Sequence, residues 1–81
     1  MREVRIRIDE IYVPAALRKP LDPRKLEELA LGIAADGLRT PILVRPDKNR
    51  YVLVSGCYRL EACKSLGEAT IRAEIVQAPK H

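Results

Sequence analysis

The stretch Tyr51-Val52-Leu53-Val54-Ser55-Gly56-Cys57-Tyr58-Arg59-Leu60-Glu61-Ala62 decides the fold, because its hydrophobic period changes at one glycine. Up to Ser55 the run is strand-like, apolar and rich in β-branched residues. Beyond Gly56, Leu60, Cys63 and Leu66 recur at helical spacing, with Glu61, Lys64 and Ser65 off that face. Gly67 then closes the helix as a left-handed C′ residue. A strand that becomes a helix at a glycine exposes backbone N–H groups with no intrahelical partner. Those donors, with the helix dipole behind them, favour an anion.

Upstream, Pro46-Asp47-Lys48-Asn49-Arg50 has turn composition and joins the strand to the short apolar run Ile42-Leu43-Val44 as a hairpin. Before that hairpin lies a punctuated helix. Asp22 is a good N-cap, Pro23 fits the first helical position, and Glu27 and Glu28 lie toward the positive end. Leu26, Leu29, Ala30 and Ile33 form its buried face, and Asp36-Gly37 ends it. Val4, Ile6 and Ile8 alternate with Arg5, Arg7 and Asp9 as a half-buried strand, and Ile71, Ala73 and Ile75 do the same near the end. The segment through Tyr12, Pro14, Arg18, Lys19 and Pro20 reads as loop, and Gln77 to His81 as a frayed tail. The order β-α-β-β-α-β predicts a compact α+β domain with a small mixed sheet, one domain over residues 1–81.

Composition bounds the function. Apolar residues make up 47% and charged residues 32%, which suits a globular chain, and the lack of Phe and Trp leaves Leu, Ile, Val and Ala to fill the core. The apolar runs are too short to cross a bilayer and the N-terminus has no signal-peptide pattern, so a cytoplasmic protein is expected. Cys57 and Cys63 fit neither a CxxC redox pair nor a zinc site, and the single histidine is His81. No structural metal is expected. The net charge of +4 favours anionic partners without choosing among them. Aromatic residues interleaved with basic ones, which single-strand binders need, are nearly missing.

At the turn, Gly56 permits close backbone approach, Arg59 offers a fork for phosphate oxygens, and Ser55 adds a hydroxyl. A thiol at a helix N-terminus near an arginine has a lowered pKa, which marks Cys57 as a candidate nucleophile beside the plainer reading of a core filler. Cys63, in line with Leu60 and Leu66, reads as filler. Tyr58 is either a packing residue or a surface for a base or a partner. Lys25, in the first turn of the first helix, joins the site if the two helix N-termini converge. Glu28 is a solvated carboxylate, a magnesium ligand or a base.

Taken in order, Asp22-Pro23-Arg24-Lys25-Leu26, Gly37-Leu38-Arg39-Thr40-Pro41-Ile42, Tyr51 to Ala62 and Thr70-Ile71 resemble the ParB/sulfiredoxin superfamily over about Ile11 to Val76. Gly56-Cys57-Tyr58-Arg59 is similar to the Gly-Cys-His-Arg signature of small stand-alone sulfiredoxins, with Tyr58 in place of the histidine. That resemblance implies Cys57 as the essential thiol, Gly56 and Arg59 on the phosphates of magnesium-bound ATP, Lys25 turned toward the nucleotide, and a peroxiredoxin partner. The implied reaction is ATP-dependent reduction of a cysteine sulfinic acid, an antioxidant repair. Glu28 stands where sulfiredoxins tend to carry a small hydroxyl residue. The alternative resemblance is to a ParB N-terminal module, which has Gly-Glu-Arg-Arg at the turn, binds a nucleotide, often CTP, and loads onto DNA; Leu26-Glu27-Glu28-Leu29-Ala30 looks more like that branch. A small-molecule kinase of the same fold, with a carboxylate such as Glu28 as base, is a third relative.

Overall fold

A computed structural model describes residues 2–77. His81 and most of the expected tail lie outside the described residues. Strand β1 (Arg2–Arg7) leads through a 3-10 turn at Ile8–Glu10 into β2 (Ile11–Tyr12), and a second such turn at Ala15–Leu17 precedes helix α1 (Pro23–Asp36). Then follow β3 (Ile42–Asp47), β4 (Arg50–Ser55), helix α2 (Cys57–Ser65) and β5 (Thr70–Ile75). The five strands form one mixed sheet in the order β1-β5-β3-β4-β2. β1 pairs antiparallel with β5, and β4 antiparallel with β3, whereas β3 runs parallel to β5 and β2 parallel to β4.

The α+β class and the order of the main elements are as the sequence predicts. One correction concerns Ile11-Tyr12, read as loop, which adds an edge strand through pairing with Tyr51 and Val52. Ile8 ends the first strand early, in its 3-10 turn, yet stays buried. The hairpin is tighter than its composition indicated: Lys48 takes φ 55, and Pro46 belongs to β3 opposite Tyr51. Pro46 is tolerated because β3 meets β5 only over Ile42–Val44, so its missing N–H faces no second neighbour.

Among the described residues, Ile42, Val44, Leu53, Leu60 and Ile71 are the largest fully buried side chains, and no polar side chain is buried with them. Ala62 and Cys63 complete the inner face of α2. Leu66, read as part of that face, is 37% exposed at the C-cap. The helix ends in a Schellman arrangement: Gly67 N–H donates to Lys64 O and Glu68 N–H to Cys63 O, with Gly67 at φ 76.

Helix α1 begins as the sequence predicts. The Asp22 carboxylate accepts from Arg24 N–H at 3.0 Å, and Gly37 closes the far end. Its apolar face is a second correction. Leu26, Leu29, Ala30 and Ile33 are only half-buried, and no residue of α1 is fully buried. The helix rests mainly on α2 rather than on the sheet, so it covers a narrow surface. No helix among the described residues is long and apolar enough to cross a membrane.

Candidate functional site

Gly56 is the hinge between β4 and α2. It sits at φ 108 and ψ 32, a left-handed conformation that L side chains rarely adopt. A Cβ there would lie 2.8 Å from Ile42 Cγ2 and 3.1 Å from Ile42 Cβ. The close approach therefore serves the packing of the corner onto β3 and holds the first turn of α2 in one orientation.

That first turn lies beside the first turn of α1. The Tyr58 hydroxyl accepts a 2.8 Å hydrogen bond from the Asp22 backbone N–H, across 36 positions of sequence. The two helix N-termini are thus tied by one side chain. Neither helix has an acidic residue in its first turn. Instead α1 carries Arg24 and Lys25 there, and α2 carries Arg59. Cations at the positive end of a helix dipole do not help the fold; the α2 turn has no side-chain cap and is left open to an anion, whereas the α1 turn already holds the Asp22 carboxylate on Arg24 N–H.

The structure separates the remaining residues. Arg59 Nη1 donates to the backbone oxygens of Thr40 at 3.2 Å and Pro41 at 2.6 Å, which pins the segment leading into β3. It lines a pocket of about 230 Å³ with Leu29, Leu38 and Thr40. Cys57 lies on the other side of α2, because two helical residues turn through about 200°. It is half-buried and lines a groove of about 430 Å³ between α2 and the Ile11–Leu21 segment. Ser55 is exposed at the end of β4, and Lys25 and Glu28 are exposed on α1.

The thiol reading needs a correction. Burial pushes the Cys57 thiol up, the Glu61 carboxylate one turn along adds to the rise, and Lys64 only partly opposes it. Arg59 faces away and does not contribute to the shift. The thiolate fraction at neutral pH is accordingly smaller than for an ordinary cysteine, not larger. In a pH series of iodoacetamide labelling followed by mass spectrometry, the Cys57 midpoint is expected above that of the urea-unfolded chain. Glu61→Gln should move it down and Lys64→Gln up; a wild-type midpoint below the unfolded one would contradict this electrostatic account.

Arg18, Lys19, Glu61 and Lys64 line the Cys57 groove and were not singled out from the sequence. Part of this was available there, since Cys57, Glu61 and Lys64 fall at i, i+4 and i+7 on one helical stripe. Among the described residues, no three His, Cys, Asp or Glu side chains gather as a metal site.

The ParB N-terminal domain model matches residues 1–81. The chain belongs to the ParB N-terminal domain family. Within the wider ParB/sulfiredoxin superfamily its relatives come from both branches. It is 42% identical over 71 residues to a probable chromosome-partitioning protein ParB of Campylobacter jejuni, covering 86% of this chain and 26% of that protein. It is 35% identical over 77 residues to the chloroplastic/mitochondrial sulfiredoxin of Arabidopsis thaliana, covering 95% of this chain and 62% of the relative. The crystal structure of Arabidopsis sulfiredoxin superposes with a TM-score of 0.88 at 33% identity, over 96% of this chain and 88% of the other. The C-terminally truncated ParB of Caulobacter crescentus, complexed with CTP-γ-S, gives 0.85 at 25% identity, over 99% and 47%. The chain spans about a quarter of the length of the ParB proteins it matches.

Proposed function

We propose that this ParB-family domain binds a nucleoside triphosphate with its phosphates over the joined N-termini of α1 and α2, and that Cys57 uses ATP to repair a peroxiredoxin cysteine sulfinic acid. The observation that carries the nucleotide reading is the pair of helix N-termini bridged by Tyr58, with Arg24, Lys25 and Arg59 in their first turns outnumbering the one cap carboxylate, Asp22. The uncapped backbone N–H groups of the α2 turn and Lys25 N–H of α1 would hold phosphate oxygens, with Arg59, anchored on Thr40 and Pro41, offering its remaining guanidinium N–H groups. Arg24 and Lys25 are the cations of the α1 turn, and Ser55 and Tyr58 supply hydroxyls at the margin. Magnesium, if bound, enters with the phosphates, with Glu28 as its candidate carboxylate.

The repair reading rests on the opening of the Cys57 groove at the surface, beside the first turn of α2. Transfer of the terminal phosphoryl group to a sulfinate oxygen releases ADP and gives a sulfinic phosphoryl ester. The Cys57 thiolate attacks the ester sulfur, the S–O bond to phosphate breaks, and a thiosulfinate forms as inorganic phosphate leaves. An external thiol then reduces the thiosulfinate. Because Cys57 is held protonated in the free protein, cations brought close to it, or displacement of the Glu61 charge, would have to raise its thiolate fraction.

A second reading is favoured by the same raised thiol and by Arg59 facing away from it: a ParB-type module that binds CTP in association with DNA, with Cys57 incidental. Calorimetric titration with ATP and with CTP in the presence of magnesium, beside a repair assay on sulfinylated peroxiredoxin, separates the two. The repair reading expects ATP preference and loss of sulfinate that Cys57→Ser abolishes while ATP binding survives. CTP preference without repair supports the ParB-type reading, and failure to bind either nucleotide overturns both.

A further inference from the structure

We propose that the cavity between the C-terminal ends of α1 and α2 and the β1–β5 pair binds a small apolar α-amino acid as a zwitterion. The cavity has a volume of about 180 Å³ and lies at the opposite ends of both helices from their joined N-termini. Ile33, Leu38, Ile71 and Cys63 give it an apolar lining, and the exposed Arg5 and Glu68, with Thr70, form its polar side.

The two charges have no protein partner. Among the described residues, neither Arg5 nor Glu68 takes part in an ion pair, although both line the same cavity. Arg5 donates from Nη1 to the Thr70 hydroxyl at 3.1 Å, which leaves Nε and Nη2 for a ligand. The neighbouring charges are already engaged: Arg72 with Glu3 and the Leu38 carbonyl, Arg7 with Asp9, and Lys64 with Glu61. Glu68 and Arg5 also act on the buried Cys63 thiol with opposite signs. Burial pushes that thiol up, Glu68 adds to the rise and Arg5 opposes it, so both charges are felt at the floor of the cavity.

This pair of opposite charges selects the ligand. A lone carboxylate would meet Glu68 and a lone amine would meet Arg5, whereas a zwitterion satisfies both. Arg5 and Thr70 take the carboxylate, Glu68 takes the ammonium, and the side chain lies over Ile33, Leu38 and Ile71. The volume equals that of about six liquid waters, enough for a molecule the size of valine or leucine and too little for a nucleotide. The cavity shares Ile33, Gly37 and Leu38 with the Arg59 pocket but no charged side chain, so its occupant is recognised independently of any nucleotide.

Backbone amide shifts recorded while L-valine and L-leucine are titrated into the wild-type chain test this. Isocaproate and isoamylamine serve as leucine without its ammonium and without its carboxylate. The amino acids are expected to shift Leu38, Thr70 and Ile71, and the two analogues to bind at least about tenfold more weakly than leucine. Arg5→Gln and Glu68→Gln should each weaken leucine binding by about tenfold, whereas Arg2→Gln on the same strand should change it by less than about twofold. Glu68→Gln removes the charge that repels a lone carboxylate, so it should leave isocaproate binding unweakened. Loss of folding cannot produce that change of preference. No shifts around the cavity with either amino acid, equal binding of leucine and isocaproate to the wild type, or equal losses in Glu68→Gln and Arg2→Gln would overturn the proposal.

Discussion

Gly56→Ala is expected to lower the stability of the domain by about 3 kcal/mol, the sum of a left-handed backbone forced on an L residue and overpacking against a core side chain. The backbone contribution follows from φ 108. The packing contribution follows from the 2.8 Å approach to Ile42 Cγ2, because Ile42 is fully buried at the centre of the sheet and has nowhere to move. Gly67 provides the internal control. It has φ 76, but a Cβ there would meet nothing within 4 Å, so Gly67→Ala is expected to cost only about 1 kcal/mol. Urea denaturation of the two variants isolates the clash. Equal losses would show that the corner does not depend on close packing onto β3.

The second large effect is on binding. Arg59→Ala is expected to weaken nucleotide binding by about tenfold or more, since it removes the one guanidinium in the first turn of α2. The variant also loses two hydrogen bonds to the Thr40 and Pro41 carbonyls, so some stability is lost with it. Arg72→Ala is the matched control. Arg72 likewise holds a backbone carbonyl, that of Leu38, and pairs with Glu3 at 2.9 Å, but it lies on β5, outside the turn. If both substitutions weaken nucleotide binding alike, the losses come from destabilisation and the turn is not a phosphate site. Arg59→Lys should bind between wild type and Arg59→Ala, because it keeps the charge and loses the fork.

The parts of this fold written in local chemistry were legible beforehand. The period change at Gly56, the Asp22-Pro23 start of α1 and the glycine stops at Gly37 and Gly67 each depend on a few neighbouring residues. Ile11-Tyr12 was missed because so short a strand has no pattern of its own and exists through its pairing with β4. The burial of α1 was overstated because helical spacing gives the direction of a face and not what covers it. At the site, the residue types were readable and their grouping only in part. The turn of α2 alone separates Cys57 from Arg59, whereas the Tyr58–Asp22 bond and the hold of Arg59 on Thr40 and Pro41 come from tertiary contact. The lowered thiol pKa expected from the helix N-terminus failed because burial and Glu61 outweigh it.

The central claim is that two helix N-termini joined by Tyr58 form one phosphate site. Backbone amide shifts recorded while magnesium-ATP and magnesium-CTP are titrated into the wild-type chain test it most directly. The account predicts that the largest shifts fall together on Arg24 and Lys25 of α1 and on Cys57, Tyr58 and Arg59 of α2 for whichever nucleotide binds. Shifts confined to one helix, or centred away from both first turns, would contradict it.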